Sequence, residues 1–382
     1  MLLQGNIVCF DRAGYGTLEI VNRKIGRIEL SAPCREDAEW IVPGFIDVHL
    51  HGIYQGNATA ELVHLMAEQA PQSGLTTLAP TLASDSHEAM INFLRRVREL
   101  MQNPKPGSAR IAGSHLEGPY IEYVHKGGMN ANFIRNIDLD EIKEFLQAAD
   151  GTLRIMTLSP ELDNAMEAVR LLREHNVHVL AGHTGLAPER LDEFVQAGGR
   201  GICHLFDTFD GRPSVGGVMT VSLADAVLVQ DELFIELISD GVHVPPTLLK
   251  MAIRAAGVDR ILAITDSMCG AGLPDDVYPM TDAGRSFTLK NGDCCRLTDD
   301  PEIIVGSCLT LNQAFNNLIK RDKFSAVEAC RMVSTNPARC LGIAEKTGRL
   351  AEGFTADIAV LAKDQLTVRK TFVEGVCVYE QN

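Results

Sequence analysis

Histidine and carboxylate residues stand at the ends of several short apolar runs in this chain. The residues that share this position are His49 and His51 (FIDVHLHG), Glu117 (IAGSHLEGPY), His183 (HVLAGHT), His204 (GICHLF) and Asp266 (ILAITDSM). Apolar runs of this length are typical of buried strands, and barrel enzymes carry their catalytic groups at successive strand ends. Imidazole and carboxylate groups are also the usual nitrogen and oxygen ligands of zinc. The ordered series therefore predicts a hydrolytic metal site.

His49 and His51 lie two positions apart on the first of these predicted strands, so both side chains point to the same face of it. Two imidazoles on one face can bind one metal ion. A single histidine here would fit a polar residue that merely ends a strand. The pair, which follows the lead-in Pro-Gly-Phe-Ile-Asp, favours metal binding.

Glu117, His183 and His204 end three further strands and together supply one carboxylate and two imidazoles. Three protein ligands with one open position form a catalytic zinc site rather than a closed structural one. Such a zinc ion polarises a carbonyl and lowers the pKa of water to about 7. Glu117 could also bridge two ions, although each residue by itself would fit an ordinary core or loop position. His115, two residues before Glu117, is predicted to support the site from deeper in the barrel.

Asp266 ends the last predicted strand, where a carboxylate can take a proton from the attacking water and pass it to the leaving group. Capping of the next turn, which Ser267 and Gly270 favour, is the alternative explanation. His243, in the segment SDGVHV, could contact the substrate, although a structural role fits a single histidine equally well. Arg212, in the loop DGRPSVGG, could meet a phosphate together with backbone N–H groups, but it fits a solvent-exposed arginine equally well.

These residues need a scaffold that brings strand ends together, and the middle of the chain alternates strand-like and helix-like segments. The predicted strands span residues 44–51, 76–82, 111–117, 153–159, 177–183, 201–206, 233–239 and 261–266. Helical stretches such as NAMEAVRLLREH separate them, which predicts an α/β fold with a (β/α)8 barrel of the TIM type. An open doubly wound sheet is the alternative. It would usually carry a glycine-rich phosphate loop after its first strand, whereas that strand ends here in HLHG.

Both ends of the chain differ from this middle, because they consist of short strand-like segments separated by glycines and polar turns. Residues 1–42 and 346–382 are therefore predicted to form one small β-sandwich domain. Residues 43–345 are predicted to form the metal-dependent barrel hydrolase domain between them.

The composition limits the partners and the location of the protein. The 382 residues carry a formal net charge of −15, which argues against nucleic acid or an anionic membrane as a partner. The ten cysteines contain no CxxC pair, so reduced thiols are expected. Neither a secretory segment nor a run of about 18 apolar residues is apparent, and we therefore expect a cytoplasmic protein.

The motifs, taken in order, resemble those of the N-acetylglucosamine-6-phosphate deacetylases of the amidohydrolase superfamily. The resemblance rests on PGFIDVHLHG, HLEGPY, NANFIR, AGHT, CHLF, SDGVHV, ITDSM, GSCLTL, NPARCLGI and GRLAEGFTADIAVL, and it covers nearly the whole chain. It implies a (β/α)8 barrel with a β-sandwich satellite, usually a homodimer. The implied reaction is hydrolysis of the N-acetyl amide of a phosphorylated amino sugar, with release of acetate.

The resemblance also implies a role for each candidate residue. The implied metal ligands are Glu117, His183 and His204 for the main ion and His49 and His51 for a second ion that Glu117 would bridge. The expected metal is Zn²⁺, as one or two ions. Asp266 would act first as general base and then as general acid, and His243 would help to hold the substrate.

Two positions depart from the family pattern, and both touch substrate recognition. Met129, in HKGGMNANFIR, stands where the family has a histidine that binds and polarises the acetyl carbonyl, and methionine cannot donate a hydrogen bond. A second metal, His125 or a different substrate would have to compensate. Asp207, in HLFDTFDGRP, stands where the family has an asparagine beside the substrate phosphate, and a carboxylate repels phosphate. Together they favour the same bond chemistry on a changed substrate, with a hydroxyl, an amine or no phosphate.

Two other functions compete with this one. Amidohydrolases of the dihydroorotase or hydantoinase kind usually bridge two metals with a modified lysine on the fourth strand, but the segment LRIMTLSP has no lysine. A non-catalytic barrel would be expected to have lost metal ligands, and the candidate ligands are all retained. The sequence therefore favours an amide hydrolase that acts on a small N-acylated amino sugar.

Overall fold

The computed structural model describes residues 1–212, 214–282, 284–364 and 366–381. The strands, in chain order, are β1 (Leu2–Val8), β2 (Ala13–Val21), β3 (Lys24–Ala32), β4 (Trp40–Pro43), β5 (Phe45–Leu50), β6 (Gly52–Ile53), β7 (Gly56–Asn57), β8 (Leu75–Ala83), β9 (Arg110–Ile111), β10 (Ser114–Glu117), β11 (Leu153–Leu158), β12 (His178–Ala181), β13 (Gly201–Ile202), β14 (Ser214–Val215), β15 (Val218–Met219), β16 (Phe234–Ile238), β17 (Ile261–Ile264), β18 (Asp276–Pro279), β19 (Ser286–Leu289), β20 (Cys295–Leu297), β21 (Ile304–Gly306), β22 (Ile358–Leu361), β23 (Val368–Val373) and β24 (Val376–Glu380). The α-helices are α1 (Val63–Gln69), α2 (His87–Gln102), α3 (Leu139–Ala149), α4 (Ala165–Glu174), α5 (Leu191–Ala197), α6 (Leu223–Val229), α7 (Pro246–Ala256), α8 (Leu311–Lys320), α9 (Ala326–Cys330) and α10 (Asn336–Cys340). Within these ranges every helix is too short or too polar to span a lipid bilayer.

Eight strands of the described chain form a parallel barrel. Around the barrel they follow the order β5, β8, β10, β11, β12, β13, β16 and β17, and each neighbouring pair is parallel. Backbone hydrogen bonds just beyond β17 close the ring: the Asp266 N–H donates to the His49 carbonyl (2.9 Å) and the His51 N–H to the Ser267 carbonyl (2.9 Å). A helix follows each strand, from α1 after β5 to α8 after β17. The predicted (β/α)8 barrel is therefore confirmed, and the alternative of an open doubly wound sheet is wrong.

The barrel strands are apolar because helices and the barrel interior cover both of their faces. Nearly every residue of β8, β16 and β17 is buried, as expected for covered parallel strands. The helices bury one face only. In α4 the buried residues Ala165, Ala168, Val169 and Leu172 recur at helical spacing.

Polar residues near the strand ends point into the barrel. In β10, Leu116 packs in the large core beneath the helices, whereas its neighbours His115 and Glu117 face the barrel interior and hydrogen-bond there. Side chains of a strand alternate between its faces, which explains this division. Below the polar residues an apolar cluster that includes Ile155 and Leu180 fills the barrel. The strand ends thus carry polar side chains, and apolar side chains fill the barrel interior below them.

Strands from both termini form a separate β-domain, as predicted. In the described residues it is one sheet of seven strands in the order β24, β23, β22, β4, β1, β2 and β3. The sheet folds back on itself, since the Ile25 N–H of β3 donates to the Phe354 carbonyl just before β22 (2.8 Å). It encloses its own core, with Ile7, Leu18 and Phe372 buried inside. The domain bounds 1–42, 346–382 and 43–345 stay a prediction.

A small antiparallel sheet, which we call the inserted sheet, was not predicted. It consists of β18, β19, β20 and β21 and lies between β17 and α8 in the chain. Its strands are only three or four residues long and mix polar with apolar residues. Phe287, Leu289 and Cys295 form its buried side. Such short strands carry too little periodicity to be recognised from sequence.

Candidate active site

The site converges on Glu117, at the end of β10. Its Oε1 lies 3.0 Å from Nε2 of His183 and 2.9 Å from Nε2 of His204. Metal–ligand bonds of about 2.0–2.2 Å place neighbouring ligand atoms about 3–3.5 Å apart, so these three atoms fit around one ion. The structure thus brings together the three residues predicted to hold the main metal.

A second group adjoins the first and shares Glu117 with it. Nε2 of His51 lies 3.3 Å from Glu117 Oε2 and 3.0 Å from Asp266 Oδ1. Nε2 of His49 lies 3.5 Å from Glu117 Oε1 and 3.5 Å from Asp266 Oδ1. Nε2 of His49 is buried and has no hydrogen-bond partner among the described residues. Buried polar atoms are normally satisfied, so this nitrogen fits a metal ligand. Glu117 therefore lies within contact distance of both groups.

The chain turns sharply at three of these residues. His183, His204 and Asp266 follow the ends of β12, β13 and β17, and their φ angles are 50°, 20° and 49°. A left-handed backbone is costly for residues other than glycine, on the order of 1–3 kcal/mol each. The surrounding fold therefore holds local strain where the three side chains converge, as is common at functional sites.

Backbone carbonyls orient two of the histidines. Nδ1 of His183 donates to the His125 carbonyl (2.8 Å), and Nδ1 of His51 donates to the Thr81 carbonyl (2.9 Å). With the proton on Nδ1, the lone pair of Nε2 is free to bind a metal. The site thus favours the histidine tautomer that a metal requires.

His49 is oriented by Glu236, which the sequence analysis missed. Glu236 lies on β16 and is fully buried, and its Oε2 is 2.9 Å from Nδ1 of His49. A carboxylate that holds the far nitrogen of a ligand histidine raises the basicity of that ligand. The available signal was the single charge in the apolar strand FIELI, because an unpaired carboxylate is rarely buried in such a strand.

The charges of the site favour a bound cation. Burial by itself would lower the pKa of His51, but hydrogen bonds to Asp266 and Glu117 raise it to about 9. For Glu117, burial would raise the pKa, but His49, His183 and His204 together hold it well below its usual range. The buried carboxylates thus favour the protonated, positively charged form of the neighbouring histidines. A divalent metal would supply this positive charge instead of the protons. The donor set fits such an ion.

His115 takes a supporting position below the ligands. Nδ1 of His115 lies 3.0 Å from the Val48 carbonyl and Nε2 lies 2.8 Å from the Thr157 hydroxyl. Burial, followed by the neighbouring His49, lowers the pKa of His115 to about 3. A neutral imidazole with both nitrogens hydrogen-bonded is not available to a metal.

A cavity of about 350 Å³ lies over these residues. One side, the metal-facing wall, consists of His51, Glu117, His183, His204 and Asp266. Other lining residues, which we call the distal wall, include Met129, Asp207, Met280, Glu302, Ile304 and Val305. The inserted sheet and its connections supply the last four of these residues. A cavity of this size suits a small substrate.

Of the residues predicted to contact the substrate, some line the cavity and others do not. Met129 and Asp207 line the cavity. Nδ1 of His243 is held by Asp240 (2.6 Å), while its Nε2 is buried without a hydrogen-bond partner among the described residues. Arg212 is not part of the cavity lining, and its guanidinium is paired with Asp225.

Comparisons with known proteins agree with this architecture. The profile of the amidohydrolase family matches residues 40–378. The N-acetylglucosamine-6-phosphate deacetylase of Bacillus subtilis (strain 168) is 30% identical over 332 residues, which are 85% of this chain and 81% of that protein. The N-acetylgalactosamine-6-phosphate deacetylase of Escherichia coli O157:H7 is 28% identical over 346 residues, covering 89% and 88% of the two chains.

A solved structure gives the same result. The N-acetylglucosamine-6-phosphate deacetylase of Thermotoga maritima superposes with a TM-score of 0.88 at 29% identity, and the match covers 100% of both chains. Sequence profile, relatives and fold therefore agree on one assignment. This chain belongs to the N-acetylglucosamine-6-phosphate deacetylase family of amidohydrolases.

Proposed function

We propose that this protein is a metal-dependent deacetylase that hydrolyses the N-acetyl amide of an amino sugar and releases acetate. The observation that carries the proposal is the convergence of His183 and His204 on Glu117 beneath a 350 Å³ cavity. Relatives of the chain are named for the deacetylation of phosphorylated N-acetyl amino sugars. The competing dihydroorotase-like chemistry is disfavoured, because β11 (LRIMTL) contains no lysine.

The metal is Zn²⁺ in this proposal, as one or two ions. The proposed ligands are Glu117, His183 and His204 for the main ion and His49 and His51 for the second. When bound, such an ion polarises the amide carbonyl and lowers the pKa of water. The contribution of the chain is to hold five ligand side chains in nearly complete burial. Electrostatic interactions between these groups and a cation are stronger there than in water, because the buried site has a low dielectric constant.

Asp266 is the proposed proton carrier. It lines the cavity, and its Oδ1 lies 3.0 Å from His51 Nε2, so the carboxylate is held at the edge of the ligand cluster. Burial raises the pKa of Asp266, but His51, His49 and His204 outweigh burial and lower it, which keeps the group ionised as a base requires. It takes a proton from the attacking water. It then gives that proton to the sugar nitrogen as the C–N bond breaks, leaving acetate and the free amine.

The remaining predicted residues contact the substrate in this proposal. His243 is not part of the cavity lining and its Nε2 is buried without a hydrogen-bond partner among the described residues, and contact of this nitrogen with a sugar hydroxyl is part of the proposal. Met129 contributes shape only, because its thioether cannot donate to the acetyl carbonyl. His125 is directed elsewhere, with Nε2 3.7 Å from Asp210, so polarising the carbonyl would fall to a bound ion rather than to His125. Arg212 would reach the substrate only after leaving Asp225. The protein is further proposed to act as a cytoplasmic homodimer.

The test is a metal and activity analysis of protein purified without chelators. We expect one or two zinc equivalents per chain by mass spectrometry of the metal. We also expect acetate release from N-acetylated amino sugars, which chelator abolishes and zinc restores. Absence of bound transition metal, together with no acetate release after adding zinc, would refute the proposal.

A further inference from the structure

Cys203 is a buried cysteine that lies beside the proposed metal ligands and has no part in the function proposed above. It directly precedes His204 in the chain, and neighbouring residues of a strand normally point to opposite faces. Here β13 ends at Ile202, and His204 has a φ of 20°, so the chain has already left the regular strand. Both side chains therefore reach the barrel interior, where His204 contacts Glu117 and Cys203 joins the apolar cluster.

The sulfur of Cys203 lies among ligand atoms as well as apolar groups. Its Sγ is 3.7 Å from Glu117 Oε1 and 3.6 Å from His49 Nδ1. Cys203, Glu117, His49 and His204 are all buried, and one ligand atom of each lies within 4.8 Å of the others. Zinc bonds of about 2.3 Å to sulfur and 2.0–2.2 Å to oxygen separate two tetrahedral ligands by about 3.5 Å. The position of the thiol therefore fits a ligand of an ion that Glu117 also binds.

An unpartnered nitrogen indicates independently that an ion belongs within this group. The side chain of His49 is fully buried, and its Nδ1 is held by Glu236 (2.9 Å). Its Nε2 lies 3.5 Å from Glu117 Oε1 and has no hydrogen-bond partner among the described residues. Buried polar atoms are normally satisfied, and a cation between these side chains would satisfy this one.

The fold fixes the sulfur on the side of the group that faces away from the cavity. A Cβ atom added at Gly182 would lie 2.5 Å from Cys203 Cβ and 3.3 Å from its Sγ, so only glycine leaves room for the cysteine. Cys203 is not part of the cavity lining, whereas Glu117 and His204 are. A thiolate bound from the barrel interior would leave a position toward the cavity open, because zinc can expand to five ligands.

We propose that the thiolate of Cys203 is a further ligand of the metal centre, which it approaches from the barrel interior beside Glu117 and His204. This inference rests on the metal dependence of the proposed function. As the sulfur–metal bond forms, the S–H bond breaks and its proton leaves to the solvent. Thiolate is a soft ligand, which favours thiophilic ions such as zinc and cadmium over magnesium and manganese. Cys203 thus makes the centre selective for thiophilic cations.

The test is the absorption spectrum of reduced, metal-free protein after addition of one equivalent of Co²⁺ per chain. We expect visible cobalt bands, which report that the centre is occupied, and a near-ultraviolet charge-transfer band from thiolate to cobalt. Cys203→Ser and Cys203→Ala should retain the visible bands and lose the charge-transfer band. Cys340→Ala is the matched control, because Cys340 is equally buried in the same apolar cluster and belongs to none of the ligand groups found in the described chain.

A second measurement addresses the selectivity of the centre. Competition with a chromophoric chelator gives the affinities of the metal-free protein for Cd²⁺ and Mn²⁺. Cys203→Ala should lower the ratio of the Cd²⁺ affinity to the Mn²⁺ affinity by at least about tenfold, because it removes the soft ligand. Cys340→Ala should leave this ratio unchanged. An unchanged ratio in Cys203→Ala would overturn the role of Cys203 in selectivity.

The outcomes separate this inference from the proposed function. Visible cobalt bands without a charge-transfer band in the unaltered protein would overturn the inference and leave the deacetylase function standing. A charge-transfer band that persists in Cys203→Ala would also overturn it, because another cysteine would then be the ligand. A protein that binds no cobalt would contradict the metal dependence on which both proposals rest. Thiolate ligation without acetate release by the zinc-loaded protein would refute the deacetylase function alone.

Discussion

The metal-facing wall and the distal wall of the cavity come from different parts of the fold. Barrel strands and the turns that end them supply the metal-facing wall, where His51, Glu117 and His204 are buried and interlocked by contacts of 2.9–3.3 Å. A loop after β13 and the connections of the inserted sheet supply Asp207, Glu302 and other residues of the distal wall. One wall is buried and polar, and the other is largely apolar with two carboxylates.

This difference assigns separate tasks to the two walls. Bond chemistry requires several groups at fixed separations, which strand ends of a closed barrel provide. Substrate choice requires shape and charge at a distance from the reacting bond, which loops can vary without disturbing the barrel. The residues to which the sequence resemblance assigns metal binding lie on the metal-facing wall, and Met129 and Asp207, its two expected departures, belong to the distal wall. The following variants test this division.

Glu117→Ala should have the largest effect. The substitution removes the carboxylate that His183 and His204 share, so we expect no tightly bound metal and no measurable acetate release. Metal analysis and an acetate assay measure the two losses. Glu174→Ala, on the exposed side of α4, is the control. Retention of a full metal complement would show that Glu117 is not the central ligand.

Asp266→Asn should lower kcat by about 10²–10⁴, the usual contribution of a general acid–base group. The main ion should remain bound, because Glu117, His183 and His204 are unchanged. Steady-state kinetics and metal analysis of the same preparation separate the two effects. A kcat close to that of the unaltered protein would contradict the proton-transfer role.

Glu236→Gln should weaken metal binding at His49 and His51 by about 10–100-fold, the usual effect of removing the partner of a ligand histidine. The cause is the loss of the charged hydrogen bond to His49 Nδ1 (2.9 Å). Competition with a chromophoric chelator measures the affinity, and Glu232→Gln, at an exposed position before β16, is the control. An unchanged affinity would mean that Glu236 only fills the barrel interior.

Met129→Leu should have the smallest effect, with kcat/KM changing by less than about threefold. The substitution conserves volume and removes only the contact of the sulfur with the Ser84 hydroxyl (3.3 Å). Steady-state kinetics on the preferred substrate measures the change. A loss greater than tenfold would place part of the bond chemistry on the distal wall and break the division between the walls.

Much of the barrel could be predicted because its signals are local. Each predicted strand is an apolar run, and β5, β8 and β16 begin and end within one residue of the predicted bounds. The ligand candidates were recognisable because each polar residue ends such a run. Glu236 was missed because its role depends on His49, which lies 187 positions away in the chain. No local pattern records a contact of that kind.

The sequence by itself determined the alternation of strands and helices, the polar residues at the strand ends and the two departures at Met129 and Asp207. The tertiary structure alone decided that Glu117 stands between the histidines, that Glu236 holds His49, and that Arg212 is bound to Asp225 outside the cavity lining. The physical reason is the separation along the chain of the residues that interact. Apolar periodicity is set by neighbours along the chain, whereas ligand geometry and the pairing of charges depend on which strands and loops the closed barrel brings together.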